Sequence, residues 1–182
     1  MITGNRVRLR AIERDDITHF VGWLNDPEVT QGLTIYLPLS MAQEEKWFED
    51  MLNRPRDEQP FLIEVLQGDG WRPVGNCGFH NLDFRCRSAE VGIFIGEKSV
   101  WNQGFGTEAM LLLLKHGFET LNLNRIALDV YSTNLRAIRS YEKSGFTLEG
   151  RKRQAMYKNG KFVDILFMSV LKSEWESRQA ME

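Results

Sequence analysis

Trp101-Asn102-Gln103-Gly104-Phe105-Gly106-Thr107-Glu108-Ala109 separates a strand-like apolar run from a leucine-rich helical one. Gly104 and Gly106, one residue apart, let the backbone curl so that successive N–H groups point the same way. The helix that follows adds its positive N-terminal end. A turn of this kind holds an anion the size of a pyrophosphate. The same G-x-G pattern also occurs as a plain structural turn, so a second element is needed to decide between the two.

That element is Asn134-Leu135-Arg136-Ala137-Ile138-Arg139-Ser140-Tyr141-Glu142-Lys143-Ser144-Gly145-Phe146. It reads as a short helix with Asn134 as N-cap and Gly145 in the left-handed conformation at its end. Asn134 and Tyr141 lie seven positions apart, close to two helical turns, so they share one face. An amide and a phenol so placed suit one extended ligand.

Outward from these segments, residues 89–95 read as a strand, 106 to about 121 as a helix and 125–131 as a strand. Residues 146–150 and 162–171 supply final strands, joined by a polar excursion containing Asn159-Gly160. Upstream, residues 6–10 read as a strand with Val7 and Leu9 facing inward. Asp15-Asp16 begins a helix to about Leu24, interrupted by Asn25-Asp26-Pro27. Ser40 and Gln43 have capping-box spacing for a second helix to about Asn53. Residues 31–39 are irregular, and residues 61–66 and 74–80 read as antiparallel strands turned by Gln67-Gly68-Asp69-Gly70. One domain is expected over residues 1–171, with 172–182 as a C-terminal tail.

In this order of strand, glycine turn, helix, strand, Asn/Tyr helix and Gly-Phe, the chain resembles the GNAT superfamily of N-acetyltransferases. Its nearest likenesses are the ribosomal-protein N-terminal acetyltransferase and spermidine N-acetyltransferase branches. The likeness is dense over residues 89–146 and extends to Asn25-Asp26-Pro27-Glu28-Val29 and to residues 164–171. Many members carry Gln or Arg three residues before the first glycine, where this chain has Trp101. The N-terminal acetyltransferase branch often has Trp there.

The resemblance implies an α/β (α+β) fold, with a mixed, mostly antiparallel central sheet flanked by helices and splayed at an acyl-CoA site. Acetyl-CoA is the implied co-substrate, with no metal. Main-chain groups of Ile93, Phe94 and Ile95 would pair with its pantetheine amides as an added strand does. The N–H groups of Asn102, Gln103, Gly104, Phe105, Gly106 and Thr107 would take the pyrophosphate, and Asn134 would hydrogen-bond the cofactor arm. Tyr141 is the expected proton donor to the departing sulfur. An alkyl amine is mostly protonated at neutral pH, so a base is also required. Glu90 is the first candidate and His80 the second; a water chain would serve as well. Each has a plainer reading: an ordinary strand, a helix cap, a core tyrosine, a solvated glutamate, a satisfied histidine.

Composition narrows the partners. The chain has 182 residues, 42% of them hydrophobic, with 23 Lys plus Arg against 25 Asp plus Glu. That near balance leaves no basic surplus for a nucleic-acid backbone. Arg151-Lys152-Arg153 reads as a solvated edge, contact with the 3′-phosphate of CoA being the alternative. The start lacks the apolar core of a secretory signal, and the longest strongly apolar run, 109–114, is far below the roughly 20 residues of a spanning helix. A soluble cytoplasmic protein is expected, and a homodimer is compatible with the resemblance. Cys77 and Cys86 form no disulfide framework and read as reduced thiols, a hairpin disulfide between them being the alternative, and His19, His80 and His116 are too scattered to suggest a metal site. Glu44, Glu45, Glu49 and Asp50 give the second helix an acidic character that reads as a solvated face, or as an attraction for a polyamine. Trp23, Tyr36, Trp47 and Phe48 read as core or as the lining of an acceptor pocket.

The expected activity is acetyl transfer to a primary amine, a protein N-terminus first and spermidine or another small amine second. A non-catalytic acyl-CoA-binding module is a further alternative. A dinucleotide or P-loop reading fails on the missing third glycine and the missing Gly-Lys-Ser/Thr.

Overall fold

A computed structural model describes residues 1–180. These residues group into two compact units. The first comprises Met1–Phe79 and Gly92–Leu113, the second His80–Val91 and the chain from Leu114 onward.

In the first unit, β1 (Ile2–Thr3), β2 (Val7–Ala11), β3 (Phe61–Gln67) and the start of β4 (Gly70–Asp83) pair in that order, the ladders of β1, β2 and β3 antiparallel. Val7 and Leu9 are fully buried, as the alternation predicts. The arginines between them serve the opposite face. Arg8 and Arg10 hold the Glu64 carboxylate at 2.5 and 3.0 Å, and Arg10 also grips Asp16 at 2.7 and 2.9 Å. Carboxylates withdrawn from water need such partners. Burial pushes Asp16 up, but Arg10 and the Glu13 amide bring it below the ordinary range.

The helices of this unit are α1 (Ile17–Leu24), which follows a tight 3-10 turn at Arg14–Asp16, α2 (Pro27–Thr30) and α3 (Met41–Leu52). The expected capping box is present. Ser40 Oγ accepts from the Gln43 amide at 3.3 Å, and Gln43 Oε1 accepts from the Ser40 amide at 2.8 Å. Phe20, Phe48, Met51 and Leu62 form the heart of the core, with Trp23, Trp47 and Phe94 partly buried against it. Each fully buried side chain of this size contributes about 1.5–3 kcal/mol.

In the second unit, the start of β5 (Ser88–Ile95), β6 (Arg125–Tyr131), β8 (Lys161–Leu171) and β7 (Thr147–Lys158) follow in that spatial order. β6 and β8 are antiparallel along all seven residues of β6. The parallel ladder between β5 and β6 is short, stopping at Glu90↔Ala127 although β6 runs on to Tyr131. The excursion expected between the last two strands is instead strand. β7 continues to Lys158 and turns through Asn159 and Gly160, with φ of 50° and 79°, the positive pair a two-residue hairpin demands. Its charged, unpatterned sequence is that of an edge strand, where polar side chains discourage further pairing.

The leucine-rich helix α4 (Phe105–Lys115) begins in the first unit and ends in the second, where one π-helical turn, His116–Thr120, replaces the expected α-helical end. α5 (Leu135–Ser144) follows β6. Residues 172–179, expected as tail, form α6 (Lys172–Gln179). Trp175 is buried, its ring 5.9 Å from that of Phe118, and Arg178 donates to the Lys143 carbonyl at the end of α5 at 2.8 Å. Both cysteines are free thiols. Among the described residues no helix is long and apolar enough to cross a membrane.

Candidate active site

The glycine turn differs from its expected form in one respect. Gly104 has φ of 86°, but the other left-handed residue is Asn102, at 61°, while Gly106 lies inside the first turn of α4. Asparagine tolerates this conformation better than most side chains. The amides of Asn102, Gln103 and Gly104 find no acceptor among the described residues, and those of Phe105, Gly106 and Thr107 open the helix. This row of main-chain donors suits a pyrophosphate.

Trp101, the departure from the family pattern, has a structural task. Its indole N–H donates to the Ile95 carbonyl at 2.8 Å, tying the end of β5 to the turn. That carbonyl is therefore engaged within the protein. Ile93, Phe94 and Ile95 are each half-buried at the end of β5.

Arg6 was not singled out in the sequence. Its Nε bonds Glu108 at 3.0 Å, its Nη1 points to the Gln103 carbonyl at 3.4 Å, and its guanidinium lies 4.8 Å from the Phe105 ring centroid. A guanidinium thus stands beside the turn. Glu108 is about a hundred residues away in sequence, and no local signal announces such a contact.

In the second unit, α5 is built as its sequence predicts. Asn134 Oδ1 accepts from the Ala137 amide at 3.2 Å, and Gly145, at φ 100°, ends the helix with the Phe146 amide returning to the Tyr141 carbonyl at 3.0 Å. The cap uses the oxygen of Asn134 and leaves its NH2 donors available, so capping and ligand binding are compatible. Tyr141 is 8% exposed and its ring lies 5.8 Å from that of Phe146. Burial pushes its phenol up to about 12, so it keeps its proton at neutral pH.

Glu90 and His80, two separate candidates in the sequence, are brought together. Glu90 Oε2 lies 3.3 Å from His80 Nε2, with both side chains about half exposed. The aromatic candidates divide: Phe48 belongs to the core, Trp23 and Trp47 flank it, and Tyr36 is 86% exposed. The acidic face of α3 is smaller than expected. Glu44 is only 6% exposed and burial holds it above the ordinary carboxylate range, while Glu49 pairs with Arg14. In the basic cluster, Arg151 pairs with Asp164 at 2.9 Å and Lys152 with Asp129 at 2.8 Å. Among the described residues no group of three or more His, Cys, Asp or Glu is placed to hold a metal.

A donor-lined turn opening a helix in the first unit and a capped helix bearing a buried tyrosine in the second are each features expected of an acyl-CoA-dependent transferase of the GNAT type. The acetyltransferase (GNAT) domain model matches residues 6–147, and the chain belongs to that family. It is an N-acetyltransferase that uses acetyl-CoA. An N-acetyltransferase of Bacillus licheniformis, p20, is 31% identical over 93% of this chain and 95% of its own. YdaF of Bacillus subtilis, provisionally named a ribosomal N-acetyltransferase, is 37% identical over 58% of this chain and 57% of its own. Among solved structures, the spermidine N-acetyltransferase of Vibrio cholerae in complex with CoA and spermine matches with a TM-score of 0.85. It is 25% identical, over 95% of this chain and 99% of that one.

Proposed function

We propose that this chain moves the acetyl group of acetyl-CoA to the amine of a protein N-terminus, directly, with both substrates bound at once. Acetyl-CoA supplies an activated thioester whose sulfur leaves as a thiolate. The observation that carries the reading is the buried, protonated phenol of Tyr141 on a helix capped at both ends. It donates its proton to the departing sulfur. Glu90, paired with His80, takes the proton that the attacking ammonium must lose, and His80 holds the carboxylate in place. The main-chain N–H groups of residues 102–107 bind the pyrophosphate, with the Arg6 guanidinium adding positive charge beside them. The amide donors of Asn134 hold the cofactor arm. No step requires a cysteine: burial raises the Cys77 thiol, and the Asp83 carboxylate raises that of Cys86, which keeps both from being nucleophiles. The cytoplasm is the setting this reading implies.

The preference for a protein N-terminus over a polyamine rests on the acidic helix. Of its four carboxyl groups, Glu44 is buried and Glu49 is neutralised by Arg14, leaving little open charge to draw in a polycation. The provisional name of YdaF points the same way. The second reading, a spermidine acetyltransferase, is favoured by the spermine-bound Vibrio cholerae structure. Thiol release from acetyl-CoA, measured with a set of N-terminal peptides and with spermidine and spermine, tests both. Faster turnover of peptides is expected. A preference for polyamines would install the second reading, and tight acetyl-CoA binding with no active amine would leave only a binding module.

A further inference from the structure

The phenol oxygen of Tyr131, at the end of β6, is the one buried side-chain polar atom without a hydrogen-bond partner among the described residues. The residue is otherwise fully engaged. It is 7% exposed, its carbonyl accepts from the Asn134 amide at 2.9 Å, and it pairs with Ile165 of β8. A phenylalanine would fill the same space without stranding a hydroxyl, and buried polar atoms left unpaired are costly and rare. Such an atom calls for a partner that arrives from outside.

Its place on the strand narrows what that partner is. The β5–β6 ladder ends at Glu90↔Ala127, and Tyr131 stands four residues further along β6, on the same face as Ala127 by strand alternation. It precedes by three residues the cap of the helix that carries Tyr141. Tyr131 therefore stands on the length of β6 between the strand level of Glu90 and the helix that carries Tyr141. Lys158 Nζ lies 5.8 Å from the centroid of the Tyr131 ring. Burial raises the phenol and lowers the ammonium, so the first stays protonated and the second is poorly hydrated.

We infer that Tyr131 is a specificity-determining residue whose phenol donates to an oxygen of the acceptor, which makes the acceptor an α-amino carbonyl compound such as a peptide N-terminus. This rests on the acetyl-transfer reading above and adds to it the group recognised beside the amine. A peptide N-terminus carries a carbonyl oxygen on the carbon next to the one bearing nitrogen. Spermidine at neutral pH presents only N–H donors and positive charge. A phenol also accepts from an ammonium group, and the spermidine arm of the test below measures that alternative.

The test compares the full-length protein with Tyr131→Phe, using acetyl-CoA with a pentapeptide of free N-terminal serine and, separately, with spermidine. The variant is expected to lose about five- to tenfold in kcat/KM on the peptide, with spermidine within roughly twofold and Tm unchanged or higher. An equal loss on both acceptors, no loss on the peptide, turnover of spermidine alone by the wild type, or a lower Tm in the variant would each overturn the inference. If the wild type acetylates neither acceptor, the proposed transfer to a protein N-terminus fails, and the rise in Tm caused by the peptide decides Tyr131. A rise present in the wild type and lost in the variant supports its role; a rise equal in both, or absent from both, refutes it.

Discussion

In the reading proposed above, the turn at residues 101–107 and the helix α5 would work in opposite ways. The turn would act through main chain: its donors are amides, and its side chains matter for the shape they permit, as with Gly104 at φ 86°. Helix α5 would act through side chains, the amide of Asn134 and the phenol of Tyr141, with its main chain holding them. A main-chain site should withstand changes of side chain and fail when the backbone is bent. A side-chain site should do the reverse.

The largest test of that contrast is Tyr141→Phe, which keeps the packing against Phe146 and removes the proton. kcat is expected to fall by about 10²-fold or more, with the KM for acetyl-CoA held within roughly twofold, by steady-state kinetics. Unchanged turnover would take the phenol out of the chemistry. Next comes Gly104→Val, which forces a branched side chain into the left-handed region at about 1–2 kcal/mol. The expected result is a KM for acetyl-CoA higher by roughly tenfold with kcat little changed. Gln103→Ala beside it should do nothing, because the exposed Gln103 side chain only reaches back to the Ser99 carbonyl. An equal penalty for both would show that the turn works through its side chains after all.

Asn134 lets the two halves of one amide be separated. Asn134→Asp keeps the oxygen that caps Ala137 and should raise the KM for acetyl-CoA severalfold at constant stability. Asn134→Ala should add a loss of about 1 kcal/mol in denaturant unfolding. If the two variants are alike in KM and in stability, the residue is a cap or a ligand but not both.

The smallest effects are those of pH. A phenol raised to about 12 remains a proton donor throughout the neutral and mildly alkaline range, so kcat should show no alkaline limb from Tyr141 below about pH 10. Away from the site, Arg125 and then the Ser169 hydroxyl lower Glu149 to about 2. A folded-state value below the unfolded one stabilises the fold above pH of about 4.3, and the contribution disappears as pH falls toward 2. Arg125→Gln should flatten that part of the acid-unfolding curve.

What the sequence disclosed was local. Ser40 with Gln43, Gly145 after an amphipathic run and the alternation of Val7 and Leu9 each depend on neighbours within a few positions, and each folds as expected. What it concealed was distant or unpatterned. Arg6 meets a turn a hundred residues away, His80 meets Glu90 from another strand, and Glu44 is buried by packing that no feature of α3 foretells. The outer half of β7 has the composition of a loop because an edge strand has little need of apolar alternation. Asn102 was passed over because glycine is the usual sign of a left-handed residue, and Tyr131 because a strand-end tyrosine declares nothing until its neighbours are known.

The hydrogen bond from Arg178 to the Lys143 carbonyl, together with buried Trp175, makes the last helix a brace for the one that carries Tyr141. A protein shortened at residue 171, the boundary its sequence suggests, would keep every residue of the proposed site and lose the strut beneath α5. On that reading, truncation there would cost activity as well as a helix.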